Sequence, residues 1–293
     1  MDELSRDSLH RFMFEGCAVR GKLVHLDQSW RAILERYDYP QPVRRILGET
    51  MAATVLLAST VKFEGQITVQ IQGDGPLTMV VIQCSNKLVL RGLARWQGEF
   101  DDAKFEQLMG NGKMIISIEN YADNQRYQGI VPVTGATVAE SLREYFDRSE
   151  QLPTRLWLAS GDEAVAGMLL QRMPEHGVAP AEDFWDRVCL LASTIKSEEL
   201  LELPERQLLN RLFNEDDLRL FDRLPVSFRC SCNRERVENM LRSLGADEIR
   251  GMVEEQGSVS VHCEFCNKGY EFDRVDSAGL FLADPPVGEQ SLH

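Results

Sequence analysis

The stretch GQITVQIQGDGPLTMVVIQ, residues 65–83, reads as two strands joined by a turn. Ile67, Val69 and Ile71 alternate with Thr68, Gln70 and Gln72, the two-residue period that sends every second side chain to one face of a sheet. GDGP at 73–76 breaks the run as a hairpin turn, and Leu77–Ile82 resumes it. Upstream, Val43, Ile46, Leu47, Met51, Val55 and Ala58 recur at helical spacing, which predicts a core helix from Val43 to about Lys62 with Pro42 at its start. Further strands are expected at Leu88–Trp96, Met114–Glu119, Tyr127–Val133, Arg155–Ala159 and Gly167–Arg172. Thr137 and Glu140 form a capping-box pattern ahead of Leu142, Tyr145 and Phe146, so a helix is expected to begin there. A shorter amphipathic segment runs from about Ser29 to Arg36. Helices and strands follow one another without regular βαβ alternation, so the fold class is α+β.

The pattern changes at MPEHGVAPAED, residues 173–183, which reads as a boundary. Beyond it Phe184, Val188, Leu191, Ala192 and Ile195 make one helical stripe, and Leu208, Leu209, Leu212 and Phe213 another. The stretch 181–224 carries 11 acidic and 6 basic residues and too little apolar material for a core of its own, so it must lean on another part of the chain. The residues after it contain CSC at 230–232 and HCEFC at 262–266, separated by a helical stretch, RERVENMLRSLG, and a strand-like one, GSVSVHC. The last residues, ADPPVGEQSLH, read as a frayed tail.

Four of the seven cysteines thus fall in two tight pairs. A CxxC turn brings two sulfurs to one metal, and an extended CxC puts Cys230 and Cys232 on the same side of the chain. Two such pairs supply the four thiolates that tetrahedral zinc favours, so Cys230, Cys232, Cys263 and Cys266 are the candidate ligands of one zinc ion. Asn267 suits the left-handed backbone that often follows such a knuckle. His262 is expected to be an exposed neighbour, and Cys17, Cys84 and Cys189 small core residues. QGDGPL lacks the Lys-Ser/Thr and the following helix of a phosphate-binding loop, so it stays a turn, like GNG at 110–112. SEQLPT at 149–154 reads as a helix-to-strand connector.

With 46 acidic against 32 basic residues the net charge is −14, which disfavours long polyanions as partners. No run of about 18 apolar residues exists, so no membrane span is expected. The start, MDELSRDSLHRFMF, has neither a basic region nor an apolar one, so no secretory signal is expected and the cytoplasm is the default compartment. In that reducing setting, paired cysteines are metal ligands or redox groups before they are standing disulfides.

These residues resemble the HslO family, the redox-regulated heat-shock chaperonin of about thirty-three kilodaltons. The resemblance rests on LLASTVKFEGQITVQIQGDGPL (56–77), GNG (110–112), RYQGIVPV (126–133), RSEQLPTRLWL (148–158), GMLLQRMP (167–174) and the CxC…CxxC cluster, in order over nearly the whole chain. It implies an ATP-independent holdase rather than an enzyme, a stress-response chaperone whose partners are unfolding client proteins. It also implies that Cys230, Cys232, Cys263 and Cys266 hold one zinc per chain when reduced. Oxidation would then form one disulfide within each pair, release the metal and unfold the C-terminal domain and the helical linker, with a homodimer as the active species. The domains expected on this reading are a core domain at 1–176, a metastable helical linker at 177–225, a zinc-binding redox switch at 226–276 and a flexible tail at 277–293.

Two other readings compete. A zinc-ribbon nucleic-acid binder would use Arg229, Arg234, Arg236 and Lys268, against the net charge. A thiol-disulfide oxidoreductase would use Cys263 and Cys266, but its CxxC lies in no visible βαβ unit.

Overall fold

Two strands that no periodicity announces open the fold: β1, Ser8–Phe14, and β2, Val19–Leu26. A computed structural model describes residues 7–99, 103–149, 152–174 and 183–281. These fall into two compact units that part between Arg229 and Cys230. The middle of the expected connector, 150–151, most of the boundary stretch, 175–182, and all but the head of the expected tail, 282–293, lie outside the described residues. Nearly all of β2 is buried on both faces, so its sequence shows no polar alternation.

In the first unit β2 leads to α1, Gln28–Leu34, and to α2, Gln41–Ala58. Asp7 anchors this corner: its carboxylate accepts the Asp27 and Ser29 backbone N–H groups at 2.7 and 2.8 Å. Pro42 lies in the first turn of α2, as expected, and the helix ends at Ser59, short of Lys62. Every residue of the predicted stripe is buried, and so are Thr50, Ala53 and Thr54 on the other sides. The two threonine hydroxyls donate to Ile46 O and Thr50 O, so their burial leaves no donor unsatisfied.

The reason α2 is buried all round is that it lies between two sheets. One sheet is built from the predicted hairpin, β3 (Gly65–Gln72) and β4 (Leu77–Ser85), with β5 (Val89–Trp96). After the short helix α3, Phe105–Met109, it gains β6 (Lys113–Asn120) and β7 (Gln125–Pro132). The two glycine turns meet: the Asp74 carboxylate accepts the Asn111 backbone N–H at 2.7 Å and its side-chain amide at 3.0 Å. A β-carbon at Gly110 would stand 2.1 Å from Asp74 Oδ1, so these glycines serve turn packing. Helix α4, Val138–Ser149, follows, and Thr137 Oγ1 accepts the Glu140 N–H as the capping pattern predicts. Then β8 (Thr154–Ser160) and β9 (Val165–Arg172) join β1 and β2 in the other sheet.

The outer face of that second sheet carries a separate core. It is covered by α5 (Phe184–Ala192), α6 (Ser197–Glu202) and α7 (Glu205–Phe213). Both predicted stripes of the linker point into it, and Phe14 of β1 meets Phe184 and Phe213 edge-on at 5.3 and 5.1 Å. A polar contact adds to the seat: His25 Nε2 of β2 donates to Leu201 O at 2.7 Å, while within the segment itself Arg187 pairs with Asp216. The stretch read as wholly helical ends otherwise. Leu218–Leu220 (β10) and Leu224–Pro225 (β11) pair antiparallel with β1. Ser227–Phe228 (β12) then runs parallel to β5, and Val226 is buried in the core around α2. These residues pair with strands on either side of α2, and the compact division falls after Arg229.

The second unit holds two helices where one was read, α8 (Arg234–Leu244) and α9 (Ala246–Gln256), broken at Gly245, whose φ is +99°. A hairpin, β13 (Val259–His262) and β14 (Gly269–Phe272), and a last helix, α10 (Arg274–Gly279), complete it. Its core is small: Leu241, Ile249, Val253, Val259, Tyr270, Phe272 and Leu280. Leu280, in the stretch read as tail, is buried here.

Candidate metal centre

Local geometry brings the two cysteine pairs together. Cys230 and Cys232 lie outside any regular element just ahead of α8, whose N-cap Asn233 accepts the Arg236 N–H at 2.8 Å. Arg236 also donates to Ser231 O and Oγ, at 2.9 and 2.8 Å, which fixes the residue between the two thiols. Cys263 and Cys266 lie in the turn of the β13–β14 hairpin. There Cys263 N–H donates to Lys268 O and Asn267 N–H to Cys263 O. Asn267 has φ +53°, the left-handed conformation its sequence position predicts.

All four sulfurs lie within 4.8 Å of one another. Cys230 Sγ is 3.6 Å from Cys263 Sγ, and Cys232 Sγ is 3.3 Å from Cys266 Sγ. Four sulfurs at zinc–thiolate distance from one centre would be about 3.8 Å apart, so the set fits a tetrahedral metal. Tyr270 Oη donates to Cys232 Sγ at 3.2 Å, a support the cysteine spacing does not disclose. It becomes findable only once the hairpin register, Val261 opposite Tyr270, is known.

The thiols differ in acidity. Burial raises Cys232, but hydrogen bonds from Tyr270 and the neighbouring thiols outweigh it and leave it at about 7. Burial is the first cause that pushes Cys266 up to about 12, and it raises Cys263 as well. Thiols this close share protons, and a divalent cation held by these four residues would take the protons' place by favouring all four thiolates.

The remaining sequence candidates lie outside the cluster. His262 is exposed and is not among the grouped ligands. Cys84 is fully buried at the sheet–helix core, where burial pushes its thiol up to about 12. Cys17, after β1, and Cys189, on α5, are half-buried against the core between the sheet and the linker helices. Three cations of the nucleic-acid reading are engaged within the unit. Arg234 stacks on Phe272 at 4.3 Å and pairs with Asp276 at 2.7 Å, Arg236 holds Ser231, and Lys268 lies over Tyr270. No helix among the described residues is long and apolar enough to cross a membrane.

The fold and the cluster define a class: a layered α+β unit carrying a helical extension, followed by a small unit with four convergent thiols. The family model for the Hsp33 protein matches residues 7–273. A 33 kDa chaperonin of Methylobacillus flagellatus is 46% identical over 279 residues, 95% of each chain. That of Chromobacterium violaceum is 48% identical over 281 residues, again 95% of each. The crystal structure of the 33 kDa chaperonin from Thermotoga maritima superposes with a TM-score of 0.79, covering 94% of this chain and 97% of that one at 21% identity. The chain belongs to the Hsp33 family of chaperones, the family its sequence resembles.

Proposed function

We propose that this protein is a cytoplasmic, ATP-independent holdase that oxidation switches on. The observation that carries the reading is the four-thiol cluster, with all sulfurs within 4.8 Å, in a unit whose core has seven buried residues. A fold that small is marginal by apolar burial alone. One zinc per reduced chain, held by Cys230, Cys232, Cys263 and Cys266, would add roughly 10–16 kcal/mol of apparent binding energy to it.

Oxidation removes the donors. Each disulfide, Cys230–Cys232 or Cys263–Cys266, forms as two thiols lose two protons and two electrons, which reduce one peroxide to two waters. A disulfide sulfur is no longer a thiolate ligand, so the ion leaves and the unit loses its main support. The segment 183–225 is the next part to yield, because its helices are six to nine residues long and hold only by docking. Its release uncovers the apolar face of β1, β2, β8 and β9, a seat for unfolding clients, with a homodimer as the active species. The engagement of Arg234, Arg236 and Lys268 within the unit argues against a nucleic-acid ribbon.

The test follows zinc release and suppression of client aggregation in one sample treated with peroxide or hypochlorite. The reading expects about one zinc per reduced chain, with release and activity rising together. Activity that appears with the metal still bound sinks it.

A further inference from the structure

Strand β1 has a neighbour on each edge. On one side β2 pairs with it from Ser8 to Met13. On the other side the linker supplies both partners: Phe12, Met13 and Phe14 face Leu220, Arg219 and Leu218, and Ser8 and Leu9 face Pro225 and Leu224. Glu15 N–H donates to Asp217 O at 2.9 Å, and Phe221 N–H donates to Arg11 O at 2.8 Å. Below this edge, Phe12 and Phe14 pack against Phe213 of α7. One segment therefore covers both the backbone edge of β1 and the aromatic face beside it.

The two strands differ in design. The linker contributes three residues, a break at 221–223 and two more, with exposed Arg219, Asp222 and Arg223 and a proline at 225. Short length, charge and proline are the features that keep an edge from recruiting further strands. Strand β1 has less of that protection, with Arg11 its one exposed charge. It is seven residues long, without Pro or Gly, and buries Leu9, Phe12 and Phe14. Such an edge, once bare, is a template for another strand.

We infer that the edge of β1 is the client seat: an extended segment of unfolded polypeptide adds to the sheet in place of β10. Apolar side chains two residues apart would take the positions of Leu218 and Leu220, over Phe12 and Phe14. This inference rests on the proposed release of the linker and names the chemistry of what replaces it. Main-chain hydrogen bonds ask for no particular sequence, so the seat accepts many clients, with a preference for alternating apolar residues. The linker strand is then an internal competitor, and its return on reduction displaces the client.

Amide exchange in the full chain tests this, with a reduced and carboxymethylated unfolded protein as client. The reporters are the Glu15 amide, which bonds to the linker, and that of Met13, on the same edge by strand period. Both should exchange slowly in reduced protein, at least about tenfold faster after oxidation, and slowly again once client is bound. A peptide of residues 216–226 should compete with the client, and the same peptide with Arg219→Pro should not. Exchange that stays fast while light scattering shows client held overturns the inference, as does exchange that stays slow in active, client-free oxidised protein. Oxidised protein that holds no client at all refutes the redox reading beneath it, and light scattering reveals that before any exchange is measured.

Discussion

The ring of Phe12 on β1 lies over the Cα of its cross-strand partner Gly21 on β2, so close that a β-carbon there would stand 2.0 Å from the ring. Only glycine leaves room for it. Phe12 is also footing for the linker, since its ring centroid lies 6.4 Å from that of Phe213. Gly21→Ala should force the ring aside and cost about 1–3 kcal/mol, as overpacked cores do. The loss should be seen first in the amides of 205–213, before those of α2. Denaturant melts and amide exchange on reduced protein measure both effects. Uniform loss of protection across the first unit would show that Phe12 does not support the linker selectively.

Glu49 on α2 gives a pH prediction. Burial raises its carboxyl to about 7, against the opposing effects of Arg45 and the Val138 N–H. It lines a cavity of about 260 Å³ shared with Trp157 of β8 and with Ile195, Lys196 and Leu200 of the linker. An acid whose folded value lies above its unfolded value of 4.5 favours the fold fully below that value. That contribution is lost as pH rises from 4.5 to about 7, because the unfolded chain ionises first. The upper bound is about 3 kcal/mol. Glu49→Gln keeps the shape and removes the charge, so it should flatten the slope and raise stability at pH 8 by about 1–3 kcal/mol. Denaturant midpoints from pH 4.5 to 8 decide it, and parallel curves for the two proteins would count against it.

Legibility in the sequence followed burial. The hairpin at 65–83 could be read because β3 buries alternate residues and leaves its glutamines half-exposed. Strands β1 and β2 could not, because both faces of β2 are covered and its Lys22 and His25 are buried among apolar neighbours. Strands β10 and β11 are too short to show a period, and only their pairing with β1 defines them. The four ligand candidates were legible because metal chemistry fixes residue type and local spacing together. Tyr270, Arg234 and Arg236 were not, since their role depends on the register of a hairpin and the entry of a helix.

Metal removal should act on the second unit first. Treating reduced protein with a strong chelator should abolish exchange protection across 234–280, while β3 and β4 keep theirs. Tyr270→Phe deletes the hydroxyl that bonds Cys232 Sγ and keeps the ring in the core. Loss of such a support weakens metal binding about 10–100-fold, and competition with a chromophoric chelator reads that shift. Affinity equal to that of the parent protein would show that the hydroxyl does not support the metal.

Disulfide mapping sets two geometries against each other. The shortest sulfur contacts join the pairs crosswise, Cys230 to Cys263 and Cys232 to Cys266. That is what four ligands around one centre produce, and it would favour cross-pair links if oxidation occurred in an intact unit. If the first oxidised thiol loses its bond to the ion and the cluster loosens before the sulfur–sulfur bond closes, chain entropy governs instead. Closing a loop of three or four residues costs about 2 kcal/mol less than closing one of more than thirty. The proposed mechanism therefore expects Cys230–Cys232 and Cys263–Cys266. The second should form first, because the CxC ring is the more strained. Peptide mapping of samples quenched along an oxidation course follows both bonds against zinc release. Early and lasting 230–263 or 232–266 links would mean that the thiols oxidise in the folded cluster, and that unfolding is not what selects the pairs.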